Sequence, residues 1–173
     1  MVFEQLYSEF NQTTWLPMPV IISRLVLAIV LGAIVGFERE WQNRPAGLRT
    51  HILVCLAATT ATILTLEMLH LDALQGNEVR IDPLRLVEAL TAGVAFLAAG
   101  MIVFTRGEVH GVTTGAGMWL SGIIGLGAGI GQWRIAVLVT LLSLAILWFL
   151  RRFEQRLLSG RGVSYPTEKR NPD

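Results

Sequence analysis

Charge is what this chain has least of. Only 16% of its 173 residues are Asp, Glu, Lys or Arg, where a soluble domain carries about 25%. The deficit is uneven, and long stretches contain no charge at all. A single cysteine, Cys55, excludes an internal disulfide and says little about compartment. No GxxxxGK[ST] phosphate loop is present, which excludes the usual nucleotide-hydrolysing engine. No nucleophile–base pair or metal-ligand cluster stands out, so the chain is not expected to be an enzyme, and no cofactor is expected. The basic opening of a secretory signal peptide is also missing. Glu4 and Glu9 stand there instead, and the first apolar stretch runs into charge rather than a cleavage site. With no low-complexity segment and no linker, one domain is expected.

Apolar residues make up 53% of the chain, with 17 Gly and a mean hydropathy of +0.55. Five runs stand out: Val20–Phe37, Leu48–Leu69, Pro83–Phe104, Val112–Ile130 and Trp133–Leu150. Roughly 18 apolar residues suffice to cross the ~30 Å hydrocarbon core of a bilayer. Each run is expected to be a helix, because lipid offers no partner to an unpaired backbone group. The expected fold is all-α, a polytopic membrane bundle of five transmembrane helices over residues 20–150. Residues 1–19 form an external segment and 151–173 a basic cytoplasmic tail placed to rest on anionic membrane lipid. Cytoplasmic loops collect Lys and Arg. One side holds Arg39, Arg44, Arg49, Arg106, Arg151, Arg152, Arg156, Arg161, Lys169 and Arg170; the other holds Arg24, Arg80, Arg85 and Arg134. Ten against four puts the N-terminus outside and the C-terminus inside.

The runs carry packing marks. Gly32 and Gly36 form a GxxxG on the first, and Gly117, Ser121, Gly125 and Gly129 lie four apart on the fourth. Small residues at this spacing let backbones approach closely. They fit packing alone or, alternatively, a mobile helix or thin-walled path, and a homodimer through the glycine-bearing faces is expected. His51, Cys55, Thr59 and Thr62 share one face of the second run. Their hydroxyls can bond their own helix carbonyls or form a polar seam against another helix. Asp82-Pro83 reads as the start of the third helix, which places Glu88 about a turn and a half inside. Glu88 can pair with Arg85, three residues earlier, or line a polar cavity as an ion ligand or proton acceptor. Glu67, near the outer end of the second run, is expected to face water.

Between the first two runs lies FEREWQNRPAGLRTH, residues 37–51, with two Glu, three Arg and a His. Pro45-Ala46-Gly47 breaks the helix there and folds one helix end against the next start. A topology-setting positive loop needs no carboxylates. The mixed signs instead favour a network in which Glu38 and Arg39 bond Arg49 and its neighbours, since Arg forks onto carboxylates bidentately.

The strings GFERE and RPAGLRTHILV within 36–54, AGVAFLAAGMI at 92–102 and HGVTTGAGMWLSGIIGLGAGIG at 110–131 resemble the membrane domain of the MgtC/SapB family. The likeness covers roughly residues 20–150. Ala98 stands where the family has a glycine, and Gly111-Val112-Thr113-Thr114-Gly115 replaces its GLTTA pattern. Longer members carry a soluble cytoplasmic domain beyond the last helix, whereas this chain stops at Asp173. The resemblance implies a bacterial inner-membrane protein of magnesium homeostasis and adaptation to low magnesium, from a family tied to survival of pathogens inside host cells. It also implies action on other membrane proteins, such as the F-type ATP synthase. The alternative is a small magnesium or proton channel, for which Glu38, Glu40 and Glu88 are the available carboxylates. Whether metal binds directly is left open, and no nucleic-acid partner is expected. The functional network expected on these grounds comprises Glu38, Arg39, Arg44, Gly47, Leu48, Arg49, Thr50 and His51, with Glu88, Gly111, Thr113 and Thr114. Helix packing is assigned to Gly32, Gly36, Gly93, Gly100, Gly117, Ser121, Gly125 and Gly129.

Overall fold

A computed structural model describes residues 2–11, 13–71, 82–105 and 108–160. Its elements are α1 (Val2–Phe10), α2 (Met18–Trp41), α3 (Leu48–Leu69), α4 (Pro83–Gly100), β1 (Val103–Thr105), β2 (Glu108–His110), α5 (Val112–Ile130) and α6 (Trp133–Gly160). Three helices are long and apolar enough to cross a membrane: Met18–Trp41, Leu48–Leu69 and the Trp133–Leu150 part of α6. The other two expected spans fall on α4 and α5.

The third run is not one helix to Phe104. It stops at Gly100, and Val103–Thr105 pairs antiparallel with Glu108–His110, Phe104 opposite Val109. β-branched residues just beyond Gly100 favour extended backbone. The fold is therefore mainly helical with one small hairpin, not purely α. The segments expected outside the spans are partly helical: α1 lies within 1–19, and α6 runs on to Gly160. The remainder of the expected tail, 161–173, lies outside the described residues.

α2 outlasts the first apolar run by four residues, ending at Trp41. Asn43 takes the left-handed conformation (φ 53°) that Asn tolerates. Asn43 N–H then donates to the Glu40 carbonyl at 2.9 Å and Arg44 N–H to the Arg39 carbonyl at 3.1 Å. This paired closure, followed by Pro45, stops the helix. At Gly47 the next helix begins.

α5 is the centre of the bundle, packed against α2, α3, α4 and α6. It runs parallel to α3 and antiparallel to α2 and α4, as its near neighbours show: Gly117 by His51, Gly125 by Ala58, Gly115 by Ala98, Gly122 by Val94. One apolar cluster joins Ala28, Leu31 and Val35 to Cys55, Ile124, Ala128 and Ala136; a second joins Ala46, Val54, Val94 and Met118. The stripe on α5 lets its backbone touch that of α3. A Cβ on Gly125 would collide with the Cys55 carbonyl oxygen, and Thr59 Oγ1 donates to the Gly125 carbonyl at 2.8 Å. Thr62 bonds its own helix at Ala58, so the polar face of α3 is part seam and part self-satisfied. On α2, a Cβ on Gly36 would lie 2.7 Å from Leu48 Cα, and Gly32 is equally close to α3.

These contacts revise the expected dimer. The faces bearing Gly32 and Gly125 are buried inside the chain and are not free to meet a second copy. Gly93 and Gly100, expected to pack, instead face open space, with no atom within 4 Å of an added Cβ. Glu67 does not simply face water: it is half-buried, and its two oxygens accept the Trp15 and Leu16 amides at 2.8 and 2.9 Å.

The contrast between glycines is testable by thermal unfolding in detergent. Gly125→Ala overfills a backbone contact and should cost about 1–3 kcal/mol. Gly93→Ala meets nothing and should be neutral, or gain up to about 1 kcal/mol from helix propensity. Equal midpoints for the two variants would contradict the packing of α5 on α3.

Candidate functional site

The charged block assembles at the end of the bundle where α2 turns into α3. The first amides of α3 need acceptors, and its N-cap residue, Gly47, has no side chain to offer one. Glu40 supplies it from the preceding helix: its Oε2 accepts the Leu48 amide at 2.7 Å. The carboxylate also complements the positive end of the helix. A Cβ on Gly47 would sit 2.6 Å from that same oxygen, so a side chain there would push the flexible Glu40 carboxylate aside.

Arg39 points the other way, into the bundle, and is only 2% exposed. Its Nε lies 3.4 Å from Glu38 Oε2, an ion pair but not a hydrogen bond, and both atoms lack a hydrogen-bond partner. Glu38 Oε1 accepts from Gln42 one turn on. His51, 0% exposed, sets its Nδ1 2.8 Å from the Gly47 carbonyl. A carbonyl only accepts, so Nδ1 carries the hydrogen, and in the neutral ring Nε2 is left as a buried, unpartnered acceptor.

The Arg39 and His51 nitrogens face the same gap in α5. A Cβ on Gly117 would lie 3.3 Å from His51 Nε2 and 3.7 Å from Arg39 Nε. One turn further along α5, the buried Ser121 Oγ also lacks a partner. Beside this cluster is a cavity of about 110 Å³ bounded by Arg39 and Val35 on α2, Thr113 and Gly117 on α5, and Ser143 and Leu147 on α6. Buried ionisable groups at membrane depth are costly and mark function by default. Donors and acceptors here are incompletely matched, so the cluster can take up water or switch partners with little rearrangement.

The structure thus brings together Glu38, Arg39, Gly47, Leu48 and His51, with Thr113 at the cavity edge and Thr114 buried nearby. Gly111 precedes α5 with φ 87°, a left-handed conformation pressed against the Met101 carbonyl, which only glycine adopts without strain. Other expected members stand apart. Arg49 is exposed and makes no ion pair with Glu38 among the described residues. It starts α3 on the outer face, because Glu40 rather than Arg49 closes the turn. Arg44 is exposed and contributes only its backbone amide to the end of α2; Thr50 is half-buried. Glu88 is exposed on α4, away from the cluster, and among the described residues it makes no ion pair with Arg85. Among the described residues, no group of three or more His, Cys, Asp or Glu is placed to hold a metal.

Sequence reasoning placed Glu40 only among possible cation ligands and missed its capping role. The signal is present: a carboxylate eight residues before the first residue of a helix whose N-cap is a glycine. The spacing of Ser121 marks it for helix packing, and nothing in the sequence marks its hydroxyl as unpartnered.

Unfolding measurements separate these roles. Arg39→Ala strands Glu38 in a partly dry site and should cost roughly 3–5 kcal/mol. Glu40→Ala removes a cap and should cost about 1 kcal/mol. Arg49→Ala should change stability by less than about 0.5 kcal/mol. An Arg49→Ala variant as unstable as Arg39→Ala would reverse this assignment.

The MgtC family profile matches residues 25–156. The chain is 36% identical over 149 residues to the Protein MgtC of Salmonella typhi, covering 86% of this chain and 60% of that one. It is 30% identical over 138 residues to the "Putative magnesium transporter YhiD" of Escherichia coli K12, covering 80% and 64%. To an "Uncharacterized protein" of Haemophilus influenzae it is 34% identical over 126 residues, covering 72% and 53%. The matched stretch is thus less than two thirds of each relative's length. No solved structure matches.

Proposed function

Because this chain belongs to the MgtC family, we propose that it is a multi-pass protein of the bacterial inner membrane that serves magnesium homeostasis by regulating other membrane proteins. Its membrane character and its link to magnesium come with the family and the apolar helices. In this reading the chain crosses the membrane five times from an external N-terminus, and it regulates rather than transports or catalyses.

One observation carries the regulatory reading. The carboxylates that could lead a cation through the bundle do not line one route: Glu40 caps α3, Glu38 accepts from Gln42 beside Arg39, and Glu88 stands on an exposed face of α4. A hydrated magnesium ion needs one or two free carboxylates on its route. The α2–α3 end, closed by the Glu40 cap and with exposed Arg44 and Arg49 on its rim, instead offers a shaped surface to a partner. The family resemblance, not the geometry, points to the F-type ATP synthase as that partner. A second reading, transport, is favoured by the printed name of the Escherichia coli relative.

Purified protein in liposomes, with entrapped magnesium- and pH-sensitive dyes, decides between them. No flux above protein-free liposomes is expected, while a strain relying on this chain for growth at low magnesium should lose that growth with Arg39→Ala. Magnesium or proton flux that depends on the wild-type protein would establish transport instead.

A further inference from the structure

Helix α1 has two faces. Val2, Phe3, Leu6, Tyr7 and Phe10 fall on one side at helical spacing, and Glu4 and Gln5 on the other. All five apolar side chains are exposed, Phe3 at 87% and Phe10 at 89%. Among the described residues, α1 makes no substantial packing contact with another helix. In water, so concentrated a set of aromatic and aliphatic side chains on nine residues would be an aggregation liability.

The chain between α1 and α2 fixes where that face must lie. The two Glu67 oxygens, at the end of α3, hold the amides of Trp15 and Leu16. The Trp15 ring stacks on His70 with centroids 3.6 Å apart and planes 12° from parallel. Thr14 Oγ1 donates to the Leu16 carbonyl at 2.6 Å, and Leu16 itself is buried. This strap pins a point five residues beyond Phe10 to the end of α3, a candidate membrane-crossing helix. It also pins it to the start of α2, whose outer face continues with exposed Met18, Ile22 and Val26. The half-exposed Trp15 stands where interfacial aromatics collect.

We propose that α1 is an interfacial helix whose Phe3–Tyr7–Phe10 face is buried in the headgroup–acyl boundary of the lipid bilayer, held at that depth by the Glu67 strap. The occupant is the lipid surface that the outer face of α2 also contacts. Glu4 is acidic and α1 contains no Lys or Arg, so attraction to anionic headgroups has no part in it. Docking is apolar, and it holds on zwitterionic lipid and at high salt.

The test uses the full chain in phosphatidylcholine vesicles. Phe3→Cys, Phe10→Cys and Glu4→Cys variants are each labelled with an environment-sensitive fluorophore; the native Cys55 is buried and stays unlabelled. Lipid carrying a nitroxide high on its acyl chain should quench positions 3 and 10 about twofold or more above position 4, with no change in 1 M salt. Glu67→Ala should erase most of that contrast by freeing the strap. Equal quenching at 3 and 4, or iodide quenching of position 3 as strong as that of free dye, would overturn the proposal. Energy transfer between labels on different copies at high lipid dilution would also overturn it, by making a second copy the occupant. A contrast undiminished in Glu67→Ala would overturn the strap's part in it.

Discussion

Most of this bundle follows from one backbone contact, the parallel approach of α5 to α3. In lipid, apolar side chains gain little by leaving the tails for one another, so helices adhere through close packing and hydrogen bonds. The α5 stripe permits both. Gly125 and Gly129 admit the α3 backbone, and Thr59 reaches across to the Gly125 carbonyl. With α5 so close, Gly117 comes opposite His51 and Arg39, and two buried nitrogens share one vacant side-chain position. Packing and the polar cluster are therefore one arrangement.

Several element ends are closed by long-range contacts. At three of them, a charged side chain from a different element supplies partners to backbone groups left without them, whereas the start of α4 is capped by its own Asp82. Glu40 of α2 takes the first amide of α3, Arg24 of α2 donates to the Gly129 carbonyl near the end of α5 at 2.7 Å, and Glu67 of α3 takes two amides of the strap. Each is favourable by the helix dipole or by charge-assisted bonding. At a membrane boundary such bonds also decide depth, because they tie elements together where water gives way to lipid. That explains charges spent singly at the ends while the middle of the bundle has almost none.

Arg39 departs from this economy. It is nearly as buried as any apolar residue, yet its Nε has only a non-bonded carboxylate beside it. A group that is costly to desolvate and incompletely matched is the natural place for water, a proton or a partner to act. The small cavity against α6 gives such an event somewhere to happen.

The sequence by itself determined the membrane class, the rough positions of the main apolar helices and the polar character of the α2–α3 turn, because these follow from local composition: runs too apolar for water, Pro and Gly at the break, charges crowded between. The family could be read as well, since its strings are contiguous. Partner choice was decided only by the tertiary structure. Glu38, Glu40, Arg39 and Arg49 are close in sequence, but helical phase turns Arg39 inward and Arg49 outward and leaves Glu40 over the next helix start. Gly93 and Gly125 look alike in sequence and differ because one faces open space and the other a carbonyl. Glu67 met Trp15 and Leu16 across some fifty residues of chain. No local pattern encodes such a meeting; it depends on which helix ends the packing brings together.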